Sequence, residues 1–292
     1  MHEFFRKLVV RPVCRLLAII PDKMFITIEF IFRVHYIPNL ERPSSFNEKM
    51  QWLKLNDRKS IYTQMADKYC AKSIVATKIG EEYIIPNLGK WNSFREIDFE
   101  KLPKQFVLKC THDSGGVLVV RDKDILDIRK AEQFLEGHRK FNYFLQSREW
   151  PYKNIKPQIM AEEYMEDMAS EDSLNVYKIL TFNGEPRIIQ AIKNDKTDHE
   201  TIDYFDIDWN KLNLKQNHQN DKIGIDRPIN LSKMLDLART LAEKLPFIRI
   251  DFYEINGRIY FSEYTFYSDG GFAKFHPSSW DKELGDWIIL SR

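Results

Sequence analysis

The chain has 292 residues, of which 43% are hydrophobic and 13% aromatic, enough for the core of one large domain or two small ones. Its 44 lysines and arginines nearly balance its 43 acidic residues. This balance argues against a protein that binds nucleic acid through a broad positive surface, because such a surface needs clustered positive charge.

The three cysteines, Cys14, Cys70 and Cys110, are widely spaced and form no CxxC pair. An odd number of separated cysteines argues against a secreted disulfide scaffold and against a zinc site. We therefore expect a cytoplasmic protein with free thiols.

Residues 8–32 are rich in apolar side chains, but prolines and charged residues interrupt them. No apolar run approaches the roughly 18 residues that span a bilayer, and no signal-peptide cleavage pattern follows. Two interpretations stay open for this N-terminal arm. It forms a pair of helices packed on the main body, or it lies on the inner face of a membrane with basic side chains at the lipid headgroups. Those basic residues are Arg6, Lys7, Arg11 and Arg15.

Residues 46–80 have the composition of helices, and Gly80 is placed to end the last one. The chain then changes to short strands and turns. The predicted strands are 106–111, 117–120, 159–164, 176–182, 187–192, 248–253 and 258–265. Turns are predicted at 183–186 and at Asn256-Gly257, and a helix at 231–244 with Asn230 as its cap. Helices mixed with hairpin-linked strands indicate an α+β architecture.

Lys109 lies in a predicted core strand, followed by a polar loop with two glycines, residues 112–116. A lysine among apolar neighbours is costly unless its ammonium meets an anion. Glycines let a backbone approach a ligand closely, so that successive N–H groups can surround phosphate oxygens. Neither the P-loop nor the G-x-G-x-x-G pattern is present. The alternative is an ordinary hairpin with a surface-reaching lysine.

Arg249 and Asp251 share one face of their predicted strand, and Glu263 and Thr265 share a face of the next strand. Two carboxylates, a hydroxyl and an arginine suit a magnesium site completed by phosphates. A strict two-residue turn at Asn256-Gly257 would place Ser262 opposite Asp251, so the metal hypothesis requires a longer or bulged connection. The alternative is a salt-bridge cluster on a sheet face.

Glu162 and Glu163 end another apolar strand. They are either its solvated end or a hinge between domains whose side chain and backbone hold the edge of a purine.

In this order, the motifs resemble the TupA-like ATP-grasp family, which is associated with teichuronopeptide and other bacterial surface-polysaccharide synthesis. The resemblance covers roughly residues 40–290. The segments that carry it are FNEKMQWLK (46–54), ADKY (66–69), IIP (84–86), LPKQFVLK (102–109), SGG (114–116), EWPY (149–152), IKP (155–157), EEY (162–164), FNGEP (182–186), RIDFY (249–253) and FSEYTF (261–266).

The resemblance implies an ATP-grasp fold in which two α+β subdomains grip ATP. It implies a helical arm over residues 1–45 and a catalytic unit over 46–292, with about 106–165 as the smaller lid subdomain. ATP and Mg²⁺, with two metal ions, are the implied cofactors. The implied activity is ligation of a carboxylate to an amine through an acyl phosphate, with a uronic acid or an amino acid as the carboxylate.

Site roles follow from the same resemblance. Lys68 and Lys109 would hold the ATP phosphates under the loop formed by Ser114, Gly115 and Gly116, with Lys178 also at the nucleotide. Glu162, Glu163 and Met165 would bind the adenine edge. Arg249 and Lys109 would be catalytic, and Asp251, Glu263 and Thr265 would surround the metal.

The sequence departs from the family pattern at three positions. Val176 stands where an acidic residue is common, and Asn175 or Asp172 are the candidates to replace it. Thr265 stands where asparagine is common, and Ser262 replaces a glycine.

Other functions remain as alternatives. A glycosyltransferase could use the D-x-D spacing of Asp206 and Asp208, although this spacing often occurs by chance. A nucleotide-binding scaffold without catalysis is also possible. A hydrolase built from Cys110, His112, Asp113 and Ser114 is disfavoured, because adjacent residues rarely converge as nucleophile, base and acid.

Overall fold

The computed structural model describes residues 19–168, 174–195, 197, 199–216 and 218–291. These residues form two compact units. Unit 1 contains residues 19–38, 51–69 and 86–164, and unit 2 contains 39–50, 70–85 and 165–291.

Helices and strands both contribute throughout the chain, as the predicted α+β class requires. The helices are α1 (Asp22–Val34), α2 (Phe46–Asn56), α3 (Ser60–Ala66), α4 (Lys68–Ile79), α5 (Ile128–Arg139), α6 (Phe144–Ser147), α7 (Leu231–Ala242) and α8 (Ser279–Trp287). Short 3₁₀ turns occur at Glu81–Tyr83, Phe94–Glu96, Phe99–Lys101, Lys123–Ile125, Trp150–Asn154 and Ser268–Gly271.

Unit 1 is built on a four-stranded antiparallel sheet in the order β1-β4-β2-β3. Its strands are β1 (Asn87–Trp91), β2 (Phe106–Cys110), β3 (Val117–Val120) and β4 (Ile159–Glu163). Every second residue of β2 is fully buried, so one face of the sheet forms the core. Helix α5 covers that face with Ala131 and Leu135. Asp127 caps the start of this helix, since its carboxylate accepts from the Lys130 N–H.

Unit 2 is built on a five-stranded antiparallel sheet in the order β7-β6-β5-β8-β9. Its strands are β5 (Val176–Phe182), β6 (Glu185–Lys193), β7 (Thr201–Phe205), β8 (Phe247–Ile255) and β9 (Arg258–Thr265). Helix α7 packs on the central strands with a buried stripe of leucine, methionine and alanine side chains. Phe46 extends the core, with its ring 5.0 Å from that of Phe247.

Both predicted Asn-Gly turns are confirmed. Asn183 and Gly184 have φ of 52° and 90°, and Asn256 and Gly257 have φ of 50° and 73°. Two successive residues with positive φ match the twist of a two-residue hairpin, and Asn-Gly supplies them at little cost.

Asn230 occupies the N-cap position of the helix after it, as predicted, but the capping bond expected from its side chain is missing. Helix α7 begins at Leu231 as expected. The Asn230 side chain donates instead to Glu254 (2.8 Å) and to the Gly257 carbonyl (2.9 Å). A neighbouring carboxylate, distant in sequence, competes for the amide.

The described part of the N-terminal arm, residues 19–45, contains helix α1, which is held in unit 1 by ion pairs from Asp22 to Arg58 (2.7 Å) and Arg148 (3.2 Å). The predicted lipid-facing residues Arg6, Lys7, Arg11 and Arg15 lie outside the described residues. Within the described ranges, no helix is both long enough and apolar enough to cross a bilayer.

Candidate functional site

Lys109 meets an anion in the structure, as its place in a core strand requires. It lies on the less buried face of β2 and forms an ion pair with Glu162, which is only 4% exposed. β2 and β4 are adjacent strands, and Val107 lies opposite Glu162, so Lys109 reaches it diagonally. Two residues predicted to contact different parts of one nucleotide are thus direct partners.

Lys68 begins α4 and lies against the glycine loop. Its backbone N–H donates to the Thr111 carbonyl (2.9 Å), and its ammonium donates to the Asp113 carbonyl. A second lysine of the predicted phosphate site is therefore attached to the 112–116 loop from a helix that begins 45 residues before Asp113. Both predicted phosphate lysines belong to unit 1.

The 112–116 loop has a specific shape that its glycines permit. Ser114 and Gly115 are exposed, and Gly115 has φ of 95°, where a side chain would be strained. Gly116 is buried, and a Cβ there would lie 2.7 Å from an Asp113 carboxylate oxygen. The Gly116 carbonyl accepts from the Cys110 N–H (2.8 Å), which closes the hairpin.

Asp113 fixes this loop from inside. Its carboxylate is nearly fully buried and bonds to Nδ1 of His138 at 2.5 Å. His138 lies in the last turn of α5, so the loop is joined to a helix of the same unit. The sequence gives no signal for this contact, since the two residues are 25 positions apart.

Several buried polar atoms beside the loop have no hydrogen-bond partner in the described part of the chain. They are Thr111 Oγ1, His112 Nδ1 and Asp113 Oδ1. Burial lowers the pKa of His112, so its ring is neutral at pH 7. Such orphaned groups are costly in a closed core, and they fit a loop that contacts a polar ligand.

The remaining predicted nucleotide contacts lie around the boundary of the two units along the chain. Glu163 is exposed, and its N–H donates to the Pro86 carbonyl (3.1 Å). Unit 1 ends at Tyr164 and unit 2 resumes at Met165, which is half-buried. Val176 is buried in β5, so it offers no polar contact, while Asn175 is half-buried and Asp172 lies outside the described residues.

In unit 2, Arg249 and Asp251 form a buried pair on β8. The guanidinium donates from Nε and from one terminal nitrogen to the two carboxylate oxygens, at 2.7 Å each. Burial alone would lower the pKa of Arg249, but the Asp251 carboxylate outweighs it and the pKa is raised. The arginine is therefore fully charged in a water-poor place, where its field is strong.

The register of β8 and β9 meets the condition that the metal hypothesis sets. From Ile255 opposite Arg258 to Phe252 opposite Phe261 the ladder is regular. It then shifts, so that Asp251 lies opposite Glu263 and Ser262 is the extra residue of a β-bulge. A two-residue turn followed by a bulge brings the second carboxylate beside the first.

Thr265, Lys178 and Ser268 complete this cluster. Thr265 lies opposite Arg249 and accepts from it at 2.9 Å, and the Lys178 ammonium is 4.0 Å from Asp251. Ser268 accepts from Arg249 at 3.4 Å. The sequence did not identify Ser268 as a partner of Arg249, because it follows β9 in a 3₁₀ turn whose position no pattern fixes.

These residues fit a magnesium ion. Asp251, Glu263 and Thr265 offer only oxygen atoms, and the Glu263 side chain is 38% exposed. No group of three or more acidic, histidine or cysteine side chains that could bind a metal occurs among the described residues. Two carboxylates suit Mg²⁺ bound together with phosphate oxygens, rather than a cation enclosed by protein ligands alone.

The structure gives little support to the two alternative chemistries, a hydrolase and a glycosyltransferase. Burial raises the pKa of the Cys110 thiol, His112 Nε2 lies 3.1 Å from the Phe141 carbonyl, and Asp113 bonds to His138 rather than to His112. The Asp206 carboxylate accepts from the backbone N–H groups of Asp208 (3.0 Å) and Asn210 (2.8 Å). It stabilises its own turn, as aspartate in such turns commonly does.

Solved structures with distant similarity to the chain include the following three. The chain is 18% identical to the D-alanine–D-alanine ligase of Bacillus anthracis complexed with ATP, covering 69% of this chain and 53% of that one, with a TM-score of 0.41. The chain is 14% identical to the D-alanine–D-alanine ligase of Helicobacter pylori, covering 78% of this chain and 60% of that one, with a TM-score of 0.43. It is 12% identical to a RimK-domain ATP-grasp protein of Sphaerobacter thermophilus, covering 78% of this chain and 69% of that one, with a TM-score of 0.42. The chain thus spans little more than half the length of the first.

No curated protein sequence matches the chain significantly. The model of the family described as TupA-like ATPgrasp matches residues 48–289, which is most of the sequence. The matched segment includes the residues described above around the 112–116 loop in unit 1 and around Arg249 in unit 2. The chain therefore belongs to the TupA-like ATP-grasp family.

Proposed function

We propose that this protein is an ATP-dependent carboxylate–amine ligase. The observation that carries the proposal is the bulge at Ser262, which places Glu263 opposite Asp251 beside the charged Arg249. A strand pair gains nothing in pairing from this irregularity, but it gathers two carboxylates and a guanidinium in one place. Bulges recur next to active sites because they redirect a side chain.

The reaction gives the carboxylate a usable leaving group, because the oxide of a free carboxylate is too basic to leave. A carboxylate oxygen attacks the γ-phosphorus of ATP, the bond from that phosphorus to the β-phosphate oxygen breaks, and ADP leaves. The resulting acyl phosphate has phosphate as its leaving group. An amine attacks the acyl carbon, the bond from carbon to the phosphate oxygen breaks, and the nitrogen loses a proton to solvent.

We assign the chain's residues to this reaction as follows. Lys68, Lys109 and the Ser114–Gly116 loop hold phosphates, and Arg249 offsets charge on the phosphoryl group in transfer. Glu162, the Glu163 carbonyl and the Met165 N–H bind the adenine edge, and Lys178 contacts the nucleotide. Asp251, Glu263 and Thr265 would hold Mg²⁺, which neutralises phosphate charge when bound.

The ion pair between Lys109 and Glu162 has a consequence for this assignment. Each residue holds the other in place before the nucleotide arrives, which lowers the cost of ordering two long side chains on binding. Binding then exchanges one anion for another at Lys109, since phosphate oxygens replace part of the contact with Glu162.

The substrate class is a proposal that follows from family membership. We propose that the carboxylate belongs to a uronic acid or an amino acid used in bacterial surface polysaccharides, with an amino compound as acceptor. The 3₁₀ turn Ser268–Gly271 touches Arg249 through Ser268, which makes it a candidate part of the acceptor pocket.

Isotope transfer tests the reaction class directly. The full chain with MgATP, a carboxylate labelled with ¹⁸O and a panel of amines is expected to release phosphate that carries one ¹⁸O atom from the carboxylate. Phosphate release should require both acid and amine. Consumption of a UDP-sugar with ATP untouched would instead identify a glycosyltransferase, and ATP binding without turnover on any pair would indicate a scaffold.

Substitution of His138 tests the role of the loop. His138→Gln is expected to raise the KM for ATP by roughly tenfold, because losing a hydrogen bond to a charged, buried group costs about 1.5–3 kcal/mol. The turnover number should change less, since no atom of His138 is assigned to the reacting groups. Steady-state kinetics with varied ATP measure both constants.

Lys140→Gln is the matched control for this change, because Lys140 directly follows α5 and its side chain is 65% exposed. It should leave both constants unchanged. A His138→Gln enzyme with an unchanged KM for ATP and a lower melting temperature would show that the contact with Asp113 serves stability alone.

A further inference from the structure

Helix α1 carries apolar side chains on two opposite sides. Its buried side contains Phe25, Ile26 and Phe30, which belong to the core of unit 1. Four more apolar residues lie on the outside with the spacing of one helical face. We call Met24, Ile28, Ile31 and Phe32 the α1 stripe; Met24 is 56% exposed and Phe32 is 77% exposed.

The stripe is held outward by the attachment of the helix. Asp22 pairs with Arg58 and Arg148 at its first turn, and the Arg148 guanidinium lies 4.1 Å from the centre of the Phe25 ring. Because these contacts fix the rotation of α1, its outer face cannot turn inward to bury the stripe.

Apolar exposure continues beyond both ends of the helix. Ile19 before it is 82% exposed, and Ile37 after it is 76% exposed. Scattered apolar residues are normal on a surface, but a contiguous group on one helix marks an interaction site.

The sequence just before the stripe indicates the partner. Residues 1–18 contain Arg6, Lys7, Arg11 and Arg15 against a single acid, Glu3. Apolar side chains preceded by basic ones match a bilayer with negatively charged headgroups, since the apolar side chains enter the acyl boundary and the basic ones attract acidic lipids.

We propose that the α1 stripe docks this protein on a membrane surface that contains acidic phospholipids. The helix lies in the plane of the surface and does not enter the bilayer further than its outer side chains. This places unit 1 at the membrane, where a ligase for membrane-bound polysaccharide precursors would meet its substrate; the docking itself does not depend on that activity.

Vesicle sedimentation of the full chain tests the proposal. We expect binding to vesicles of phosphatidylcholine mixed with phosphatidylglycerol to exceed binding to pure phosphatidylcholine by at least about tenfold, and to weaken at high salt. Ile28→Asp/Phe32→Asp should abolish binding, and Arg11→Gln/Arg15→Gln should weaken it.

The matched control is Ile125→Asp/Ile223→Asp, which places two aspartates at isoleucines that are 82% and 94% exposed elsewhere on the protein. It should bind vesicles like the unchanged chain. Equal binding to neutral and acidic vesicles, or equal loss in the control, would overturn the proposal.

Two further outcomes would also overturn it. One is a dimer in solution that dissociates in Ile28→Asp/Phe32→Asp while vesicles bind neither form, which would make the stripe a contact between copies. The other is a marked drop in melting temperature for the same variant without lipid and without vesicle binding by the unchanged chain. That result would show that the chain itself covers the stripe.

Discussion

Replacing Glu263 with glutamine is expected to lower ATP-dependent phosphate release by about 10²–10³-fold while the fold stays intact. The change removes one negative oxygen from the proposed magnesium ligands and keeps the size of the side chain. The Glu263 side chain is 38% exposed and its contact with Arg249 is long, at 3.7 Å, and the change leaves the two bonds between Arg249 and Asp251 in place. Initial rates across a magnesium titration measure the effect, and half-maximal activity should require more metal.

Asp251→Asn is the informative contrast. It makes the same chemical change at the other carboxylate, but Asp251 is 1% exposed and accepts two bonds from Arg249. The substitution leaves a buried guanidinium without its full counter-charge, which typically costs about 3–5 kcal/mol. We therefore expect Asp251→Asn to lose both activity and stability, whereas Glu263→Gln loses activity alone.

Glu185→Gln provides the control for Glu263→Gln. Glu185 lies at the exposed start of β6 and pairs with Arg239 on the surface of the same unit. Surface pairs of this kind contribute about 0–1 kcal/mol, so its rates and melting temperature should not change. A Glu263→Gln enzyme with normal rates and a normal magnesium requirement would exclude Glu263 as a metal ligand.

The bulge that this prediction depends on shows how far sequence reasoning could go. The Asn-Gly turn and the two strands follow from local patterns, because turn residues and alternation are short-range signals. The alternation also showed that Glu263 would face the wrong side in a regular ladder. The alternation indicated that the metal site requires a bulge. It could not indicate that Ser262 forms the bulge, because the position of a bulge depends on packing across the whole sheet.

Contacts between residues distant in sequence were the other feature that the sequence could not predict. Lys109 was expected to need an anion, yet Glu162 as its partner depends on β2 and β4 being neighbours, and these strands are about fifty residues apart in sequence. The contact of Asp113 with His138 depends on how α5 packs against β2 and β3. Asn230 shows the reverse case, where a local rule predicted the cap position but the distant Glu254 offered the side chain a better acceptor.

Replacing Lys54 with methionine is expected to reduce the free energy of unfolding by about 3–5 kcal/mol. Lys54 is fully buried, and its ammonium donates to the Ser147 carbonyl at 2.9 Å. Glu149, which is 5% exposed, accepts from the Ser147 hydroxyl at 2.6 Å and balances the lysine charge. Methionine fills the space, but it removes the lysine charge that balances the buried Glu149 carboxylate. Urea unfolding at neutral pH measures the loss.

The pH dependence identifies the lysine as the cause. Burial lowers the pKa of Lys54 from 10.5 to about 8, against the opposing effect of Glu149. Between these two values the unfolded chain binds more protons than the folded one, so the contribution of this group to stability rises with pH. The difference in unfolding free energy between the unchanged chain and Lys54→Met should therefore increase from about pH 8 to about pH 10.5.

A double variant separates the charge from the packing. Lys54→Met/Glu149→Leu removes both charges, and replacing a buried pair with apolar side chains of similar volume is often neutral or stabilising by about 1–4 kcal/mol. Most of the stability lost in Lys54→Met should return, without the rise between about pH 8 and about pH 10.5. If the double variant were as unstable as the single one, the loss would come from packing around Lys54. The balance of charge with Glu149 would then contribute nothing measurable.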